Sequence, residues 1–161
     1  MSSGKTKVKS GKQPNSINCF ACGLENPYGL KLEFFDNGVD EVSCTYTVPE
    51  RFNGYPGVAH GGIVAAMLDE VVIRTAMIAD PNRFMMTATM ELKYRRPVPT
   101  GVALHLLGRM VKDRGRFARA EGELRLPDGT VAVEAAMMMA DLPPEHRVDA
   151  AMLDLLGWKV Y

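Results

Sequence analysis

One segment constrains this chain more than any other: GGIVAAMLDEVVIRTAMIAD, residues 61–80, directly after His60. It is long, it lacks strand alternation, and its apolar residues run almost all round a helical wheel. It therefore reads as a buried helix rather than an amphipathic one on a surface. Asp80-Pro81-Asn82 ends it. A helix this apolar needs a cover, and the rest of the chain supplies strands. Residues 28–35 alternate, with Leu30, Leu32 and Phe34 on one face and Lys31 and Glu33 on the other. A turn at Asp36-Asn37-Gly38 leads into residues 41–48, where Val42, Cys44, Tyr46 and Val48 share the inward face, and the two segments make a hairpin. Residues 49–59 have the composition of a loop. Four strands follow the helix, at 86–94, 102–111, 117–126 and 131–140, separated by turn-forming Pro, Asp and Gly. Residues 145–156 read as a short amphipathic helix capped by Gly157. The expected class is α+β: one curved antiparallel sheet wrapped round one long central helix, with edge strands open to a second subunit.

The 161 residues suffice for one domain with a core of its own. Formal charge is zero overall but uneven. Lys5, Lys7, Lys9 and Lys12 stand among residues 1–16 without an acid, leaving 15 basic and 19 acidic residues in the rest. Residues 1–16 are therefore expected to be a disordered basic tail, residues 17–143 the folded domain, and residues 144–161 the C-terminal helix. An acidic body argues against a nucleic-acid partner. No apolar run approaches the ~18 residues of a membrane span, and no signal-type stretch opens the chain, so no membrane partner is expected. Three cysteines and eleven methionines suit a reducing compartment, and the expected location is cytoplasmic.

Two features of the central helix carry chemistry. Glu70 has Arg74 four residues on, which accounts for its charge. Asp69 has only Ala65, Ala66, Val72 and Ile73 at helical spacing, and none of these can pair with a carboxylate. An acid in such a setting costs several kcal/mol unless something compensates, and acids without a structural role concentrate at active sites. The second feature is His60-Gly61-Gly62. Two glycines at a helix start let a ligand approach backbone N–H groups that have no partners within the helix and sit at the positive end of its dipole, an arrangement suited to an oxyanion. Gly62 and Asp69 lie on nearly one face but about 10 Å apart along the axis. That is too far to serve a single carbonyl carbon, so one site should draw its amide and its acid from two subunits, and an obligate dimer is expected.

The residues FNGYPGVAHGGIVAAMLDE, followed by TATMELKYRRP, resemble the hot-dog-fold acyl-CoA thioesterase superfamily, in the branch of phenylacetyl-CoA-type and thioesterase-superfamily-member enzymes. CFACGLENPYGLKLEF resembles a segment of small bacterial relatives, and the likeness spans roughly residues 18–141. The resemblance implies the hot-dog fold, an acyl-CoA substrate, and a homodimer or a dimer of dimers. It implies Asp69 as the acid that activates water or attacks the thioester, Gly61 and Gly62 as polarising amides, His60 as a positioning residue, and Thr87 as the hydroxyl that orients water. Some relatives carry an asparagine six residues before the histidine. That position is Gly54 here, and Asn53 beside it is the substrate-binding candidate. Arg95, Arg96, Arg109 and Arg114 are candidates for the coenzyme A phosphates.

No cofactor is expected, since a carboxylate with an oxyanion hole suffices for a thioester, and no G-x-S-x-G elbow exists. Cys19-Phe20-Ala21-Cys22 with Cys44 falls short of the four ligands of a structural zinc site unless His60 or His105 contributes, so loop packing is the expected role and no metal is assigned. Two rival readings share the fold: a non-catalytic acyl-CoA-binding or sensing protein, and an enoyl-CoA hydratase or dehydratase using His60.

Overall fold

The computed structural model describes residues 11–161. Its frame is a seven-stranded antiparallel sheet in the order β1-β2-β3-β7-β8-β9-β6. The strands are β1 (Gly11–Lys12), β2 (Phe35–Asp36), β3 (Glu41–Thr47), β6 (Met85–Tyr94), β7 (Ala103–Asp113), β8 (Phe117–Arg125) and β9 (Val131–Asp141). A small hairpin of β4 (Asn53–Tyr55) and β5 (Val58–Ala59) leads into α1 (Gly61–Ile73), and α2 (Ala150–Leu156) lies near the C-terminus. The chain leaves β3, passes through the hairpin and α1, lays down β6 at the far edge, and returns to fill the sheet with β7, β8 and β9. This is the hot-dog architecture: a sheet curled over one main helix.

The α1 side chains Val64, Met67, Leu68, Val71 and Val72 are fully buried against Leu104, Leu106, Ala118, Ala120, Leu124, Val133 and Met139 of the sheet. Two glycines permit the close approach. A Cβ at Gly108 would lie 2.5 Å from the Val71 carbonyl oxygen, and one at Gly122 would lie 2.4 Å from Val72 Cγ2. The α-helix ends at Ile73 and continues as a 3-10 turn over Arg74–Met77, shorter than the expected run to residue 80. The Thr75 hydroxyl, bonded back to the Val72 carbonyl at 2.7 Å, helps hold that tighter turn. No helix among the described residues is long and apolar enough to cross a membrane.

Three expectations are corrected. Residues 28–34 are not a strand, although Leu30, Leu32 and Phe34 are buried as their alternation requires. Their backbone bonds to irregular partners: Leu30 N–H donates to Phe20 O and Leu32 N–H to Ala21 O, while Lys31 sits at φ 59°. Alternation here records burial without a ladder, and only Phe35–Asp36 pairs with β3.

The expected tail, residues 1–16, lies partly outside the described residues, but 11–16 are ordered. Gly11–Lys12 pairs with β2, and Gln13, Asn15 and Ser16 are buried. Polar composition there serves buried backbone: Asn15 Nδ2 donates to Cys22 O and Leu32 O, both at 2.8 Å. Finally, residues 145–156 form two pieces, a 3-10 turn at Pro144–His146 and then α2, because the Asp149 side chain caps a fresh helix start at Met152 N. The C-terminal segment packs on the domain, with Trp158 Nε1 donating to Pro81 O and its ring 5.0 Å from that of Phe84. Gly157 caps α2 as expected, at φ 60°.

Candidate active site

Asp69 sits on the α1 face turned towards β6, half-buried. Thr87 Oγ1 donates to Asp69 Oδ1 at 2.6 Å. No lysine, arginine or histidine forms an ion pair with it among the described residues. The helical neighbour Glu70 does take Arg74, at 2.9 Å, as the spacing implies. The acid without an ion-pair partner and the hydroxyl implied by the resemblance thus meet, and Oδ2 of Asp69 has no hydrogen-bond partner among the described residues.

A break in β6 makes that meeting possible. Simple alternation over residues 86–94 would place Met86, Met90 and Leu92 on one face and turn Thr87 to the other. The register with β9 slips between Thr87 and Thr89, so Thr87 pairs Met139 while Thr89 pairs Met138. The extra residue, Ala88, reverses the parity. Met85 and Thr87 now share the inner face with Met90 and Leu92, and Met86 is exposed. Bulges commonly re-aim a side chain at a functional site.

At the other end of the helix, His60 is the N-cap. Its Nδ1 accepts the Gly62 N–H at 2.9 Å, and its carbonyl accepts from Ile63 and Val64. With Nδ1 an acceptor, a neutral ring carries its proton on Nε2. The Gly62 amide is therefore occupied, whereas the Gly61 amide donates to nothing among the described residues and is exposed. Of the two glycine amides expected to face a ligand, Gly61 and Gly62, only the Gly61 N–H is without a partner among the described residues. Tyr94, which sequence reasoning missed, locks this corner: its hydroxyl donates to Gly61 O at 2.6 Å. Its place at the far end of the strand that carries Thr87 was the only available hint.

Gly61 and Asp69 are eight residues apart on one helix, roughly 12 Å of rise. They lie beside opposite ends of β6, Tyr94 marking one and Thr87 the other. The structure does not bring them together within one chain.

The substrate-binding candidates separate. Arg95 and Arg96 line a cavity of 230 Å³ together with Gly61, Val64 and Tyr94, next to the helix start. Arg95 also pairs with Glu134 at 2.9 Å, and Arg96 has no ion-pair partner among the described residues. Arg114 stands in the β7–β8 turn, at the sheet end where Phe117, Ala140 and Met86 align, which is the Thr87 end. Arg109 is elsewhere: it pairs with Glu41 and lines a groove away from the helix start, in which Glu91 and Glu123 are paired with Lys93 and Arg125. Asn53 is near His60 but engaged, donating to Glu50 Oε1 at 2.8 Å. Thr100 at 2.5 Å and the Gly57 amide at 3.0 Å complete a cradle round Glu50. The Thr100 hydroxyl, the Gly57 amide and Asn53 together draw the Glu50 carboxyl down to about 2. Asn53 therefore braces the loop before His60.

Comparison with known proteins follows the same lines. The family model described as "Thioesterase superfamily" matches residues 56–133. The acyl-coenzyme A thioesterase THEM4 of Rattus norvegicus is 25% identical over 142 residues, 87% of this chain and 60% of that protein. The chain thus spans about three fifths of the length of the curated relatives it matches most fully. Among solved structures, the thioesterase superfamily protein RHA08564 superposes with a TM-score of 0.68 at 30% identity, over 76% of this chain and 60% of that one. A hypothetical thioesterase protein from Streptococcus pneumoniae, solved with coenzyme A, superposes with a TM-score of 0.59 at 17% identity, over 64% of this chain and 79% of that one.

Proposed function

Because this chain belongs to the thioesterase superfamily and has its hot-dog fold, we propose that it hydrolyses the thioester of an acyl-coenzyme A, with Asp69 as general base. The single observation that carries this is the half-buried Asp69 carboxylate, free of any cationic partner among the described residues and aligned by Thr87 at 2.6 Å. Asp69 Oδ2 takes a proton from water, and the water oxygen attacks the thioester carbon. Charge develops on the carbonyl oxygen and is met by the Gly61 N–H at the positive end of α1. The tetrahedral intermediate then expels coenzyme A as a thiolate. A thioester has little resonance to lose and a good leaving group, so no nucleophilic serine is needed.

The 12 Å between Gly61 and Asp69 along one helix requires two chains. Among the described residues β6 is hydrogen-bonded on one side only, by β9, and Met86 and Tyr94 along it are exposed. Antiparallel pairing of two β6 strands would bring the Thr87 end of one chain beside the Tyr94 end of the other. Each site would then combine Asp69 and Thr87 of one protomer with Gly61, Arg95 and Arg96 of its partner, and Arg114 would stand at the same mouth. Two equivalent sites per dimer follow. A hydratase reading would need His60 as a base, but its Nδ1 is occupied as an acceptor, which leaves a neutral ring with only a donor to offer.

The test is thiol release from a panel of acyl-CoAs spanning short, long and aryl acyl groups. Turnover of at least one class is expected. Tight binding of acyl-CoA with no release across the panel would replace the enzyme with a binding protein.

A further inference from the structure

Twenty-two residues between β1 and β2, numbers 13–34, contain no helix or strand, yet much of this segment is buried. Irregular connections beyond about 12–15 residues are uncommon in compact domains and usually have a special reason for their order. Part of the reason here is the polar stitching of Asn15. Another part lies at its tightest point. The ligand atoms of Cys19, Cys22 and Glu70 lie within 4.8 Å of one another, the first two from the irregular segment and the third from α1. Neither His60, which caps α1, nor His105, which bonds Thr45 on an exposed strand face, takes part.

We propose that Cys19, Cys22 and Glu70 form a structural site for a divalent cation of the zinc class, which staples the N-terminal segment to the central helix. Tetrahedral zinc, with Zn–S near 2.3 Å and Zn–O near 2.1 Å, holds its donors roughly 3.5–3.8 Å apart, so this cluster needs to close by only about an ångström. Paired thiolates select zinc over the hard cations magnesium and calcium. The charges balance: two thiolates and a carboxylate face a divalent cation and the buried Arg74 guanidinium, which bonds Glu70 Oε1 and leaves Oε2 to the metal. A ligating carboxylate held by a second group in this way is the usual pattern. The Ser16 hydroxyl, 3.4 Å from Cys22 Sγ, stands where a fourth donor completes the set, directly or through a water. This inference is independent of the proposed hydrolysis, since none of these groups belongs to the catalytic set.

The test is the metal content of the full chain, purified without chelator from zinc-supplemented cells, read by plasma mass spectrometry. Zinc equimolar with the chain is expected, falling at least tenfold in Cys19→Ser/Cys22→Ser and clearly reduced in Glu70→Gln. Cys44→Ser, outside the cluster, should keep it. Glu70→Gln also breaks the pair with Arg74 and can unfold the chain, so cobalt(II) titration of the wild type provides a reading without substitution. Thiolate-to-cobalt charge-transfer absorption with a tetrahedral visible spectrum is expected. The proposal is overturned if the wild type neither carries zinc nor gains that absorption, or if the double cysteine variant holds as much zinc as the wild type. It is equally overturned by an intact mass two hydrogens short, which would mark a Cys19–Cys22 disulfide in place of a metal.

Discussion

Asp69 was legible from what surrounds it. Ala65, Ala66, Val72 and Ile73 offer it nothing, whereas Glu70 has Arg74, and the structure keeps that contrast. The parity of Thr87 was not legible, because the Ala88 bulge that turns it inward arises from pairing with β9, which is settled only in three dimensions. Nor could spacing tell that His60 occupies the Gly62 amide and leaves Gly61 as the donor. That division gives a sharp variant. Gly61 is the first residue of α1, where proline is tolerated, and His60 at φ −60°, ψ 134° already has the backbone that precedes proline. Gly61→Pro removes the N–H while sparing the helix. Turnover is expected to fall by about 10²–10³ with an unchanged thermal midpoint, and full activity in a folded Gly61→Pro would remove the amide from the mechanism. Thr87→Val should lower kcat more than it raises KM, because in the proposed mechanism the hydroxyl orients the Asp69 carboxylate and does not touch coenzyme A.

At the scale of elements, the apolar segment after His60 dictated the architecture, and strands β3, β6, β7, β8 and β9 fall within a residue or two of their expected positions. Residues 28–34 show the limit of periodicity: their alternation records which side chains are buried, but their backbone partners are loop carbonyls. Gln13, Asn15 and Ser16 misled for the converse reason, since their side chains bond backbone groups within the fold rather than solvent. Contact of α1 with the sheet depends on the absence of a Cβ at Gly108, where the obstacle would be the Val71 carbonyl oxygen at 2.5 Å, a backbone atom that cannot rotate away. Gly108→Ala is expected to destabilise by about 1–3 kcal/mol, read from the denaturant midpoint at constant slope. A second prediction concerns the loop before His60. The Glu50 carboxyl is held down to about 2, below its unfolded value, so its contribution to loop order is complete above the unfolded value and is lost as pH falls towards 2. Glu50→Gln should speed hydrogen exchange at the Gly57 amide at neutral pH, and unchanged exchange would show the cradle to be incidental.

At the scale of the whole molecule, one chain carries the Asp69–Thr87 pair and the Gly61–Tyr94 pair at opposite ends of β6, a strand that pairs only with β9 among the described residues, and in the proposed dimer these are the two halves of a site. Mixing then distinguishes a shared site from a local one. Asp69→Asn and Gly61→Pro homodimers are each expected to be inactive. Exchanged subunits in equal amounts should regain about a quarter of wild-type activity, because half the dimers carry one intact site of two. A mixture that stays inactive after demonstrated exchange would confine the site to one chain. Beneath all of this stands the Asp69 carboxylate, and the most direct measurement is steady-state coenzyme A release by Asp69→Asn against wild type, on the best acyl-CoA of the panel, with circular dichroism to establish an intact fold. The substitution keeps shape and hydrogen bonding and removes the base, so kcat is expected to fall about 10²–10⁴-fold with KM little changed. A folded Asp69→Asn that turns over at the wild-type rate would contradict the account.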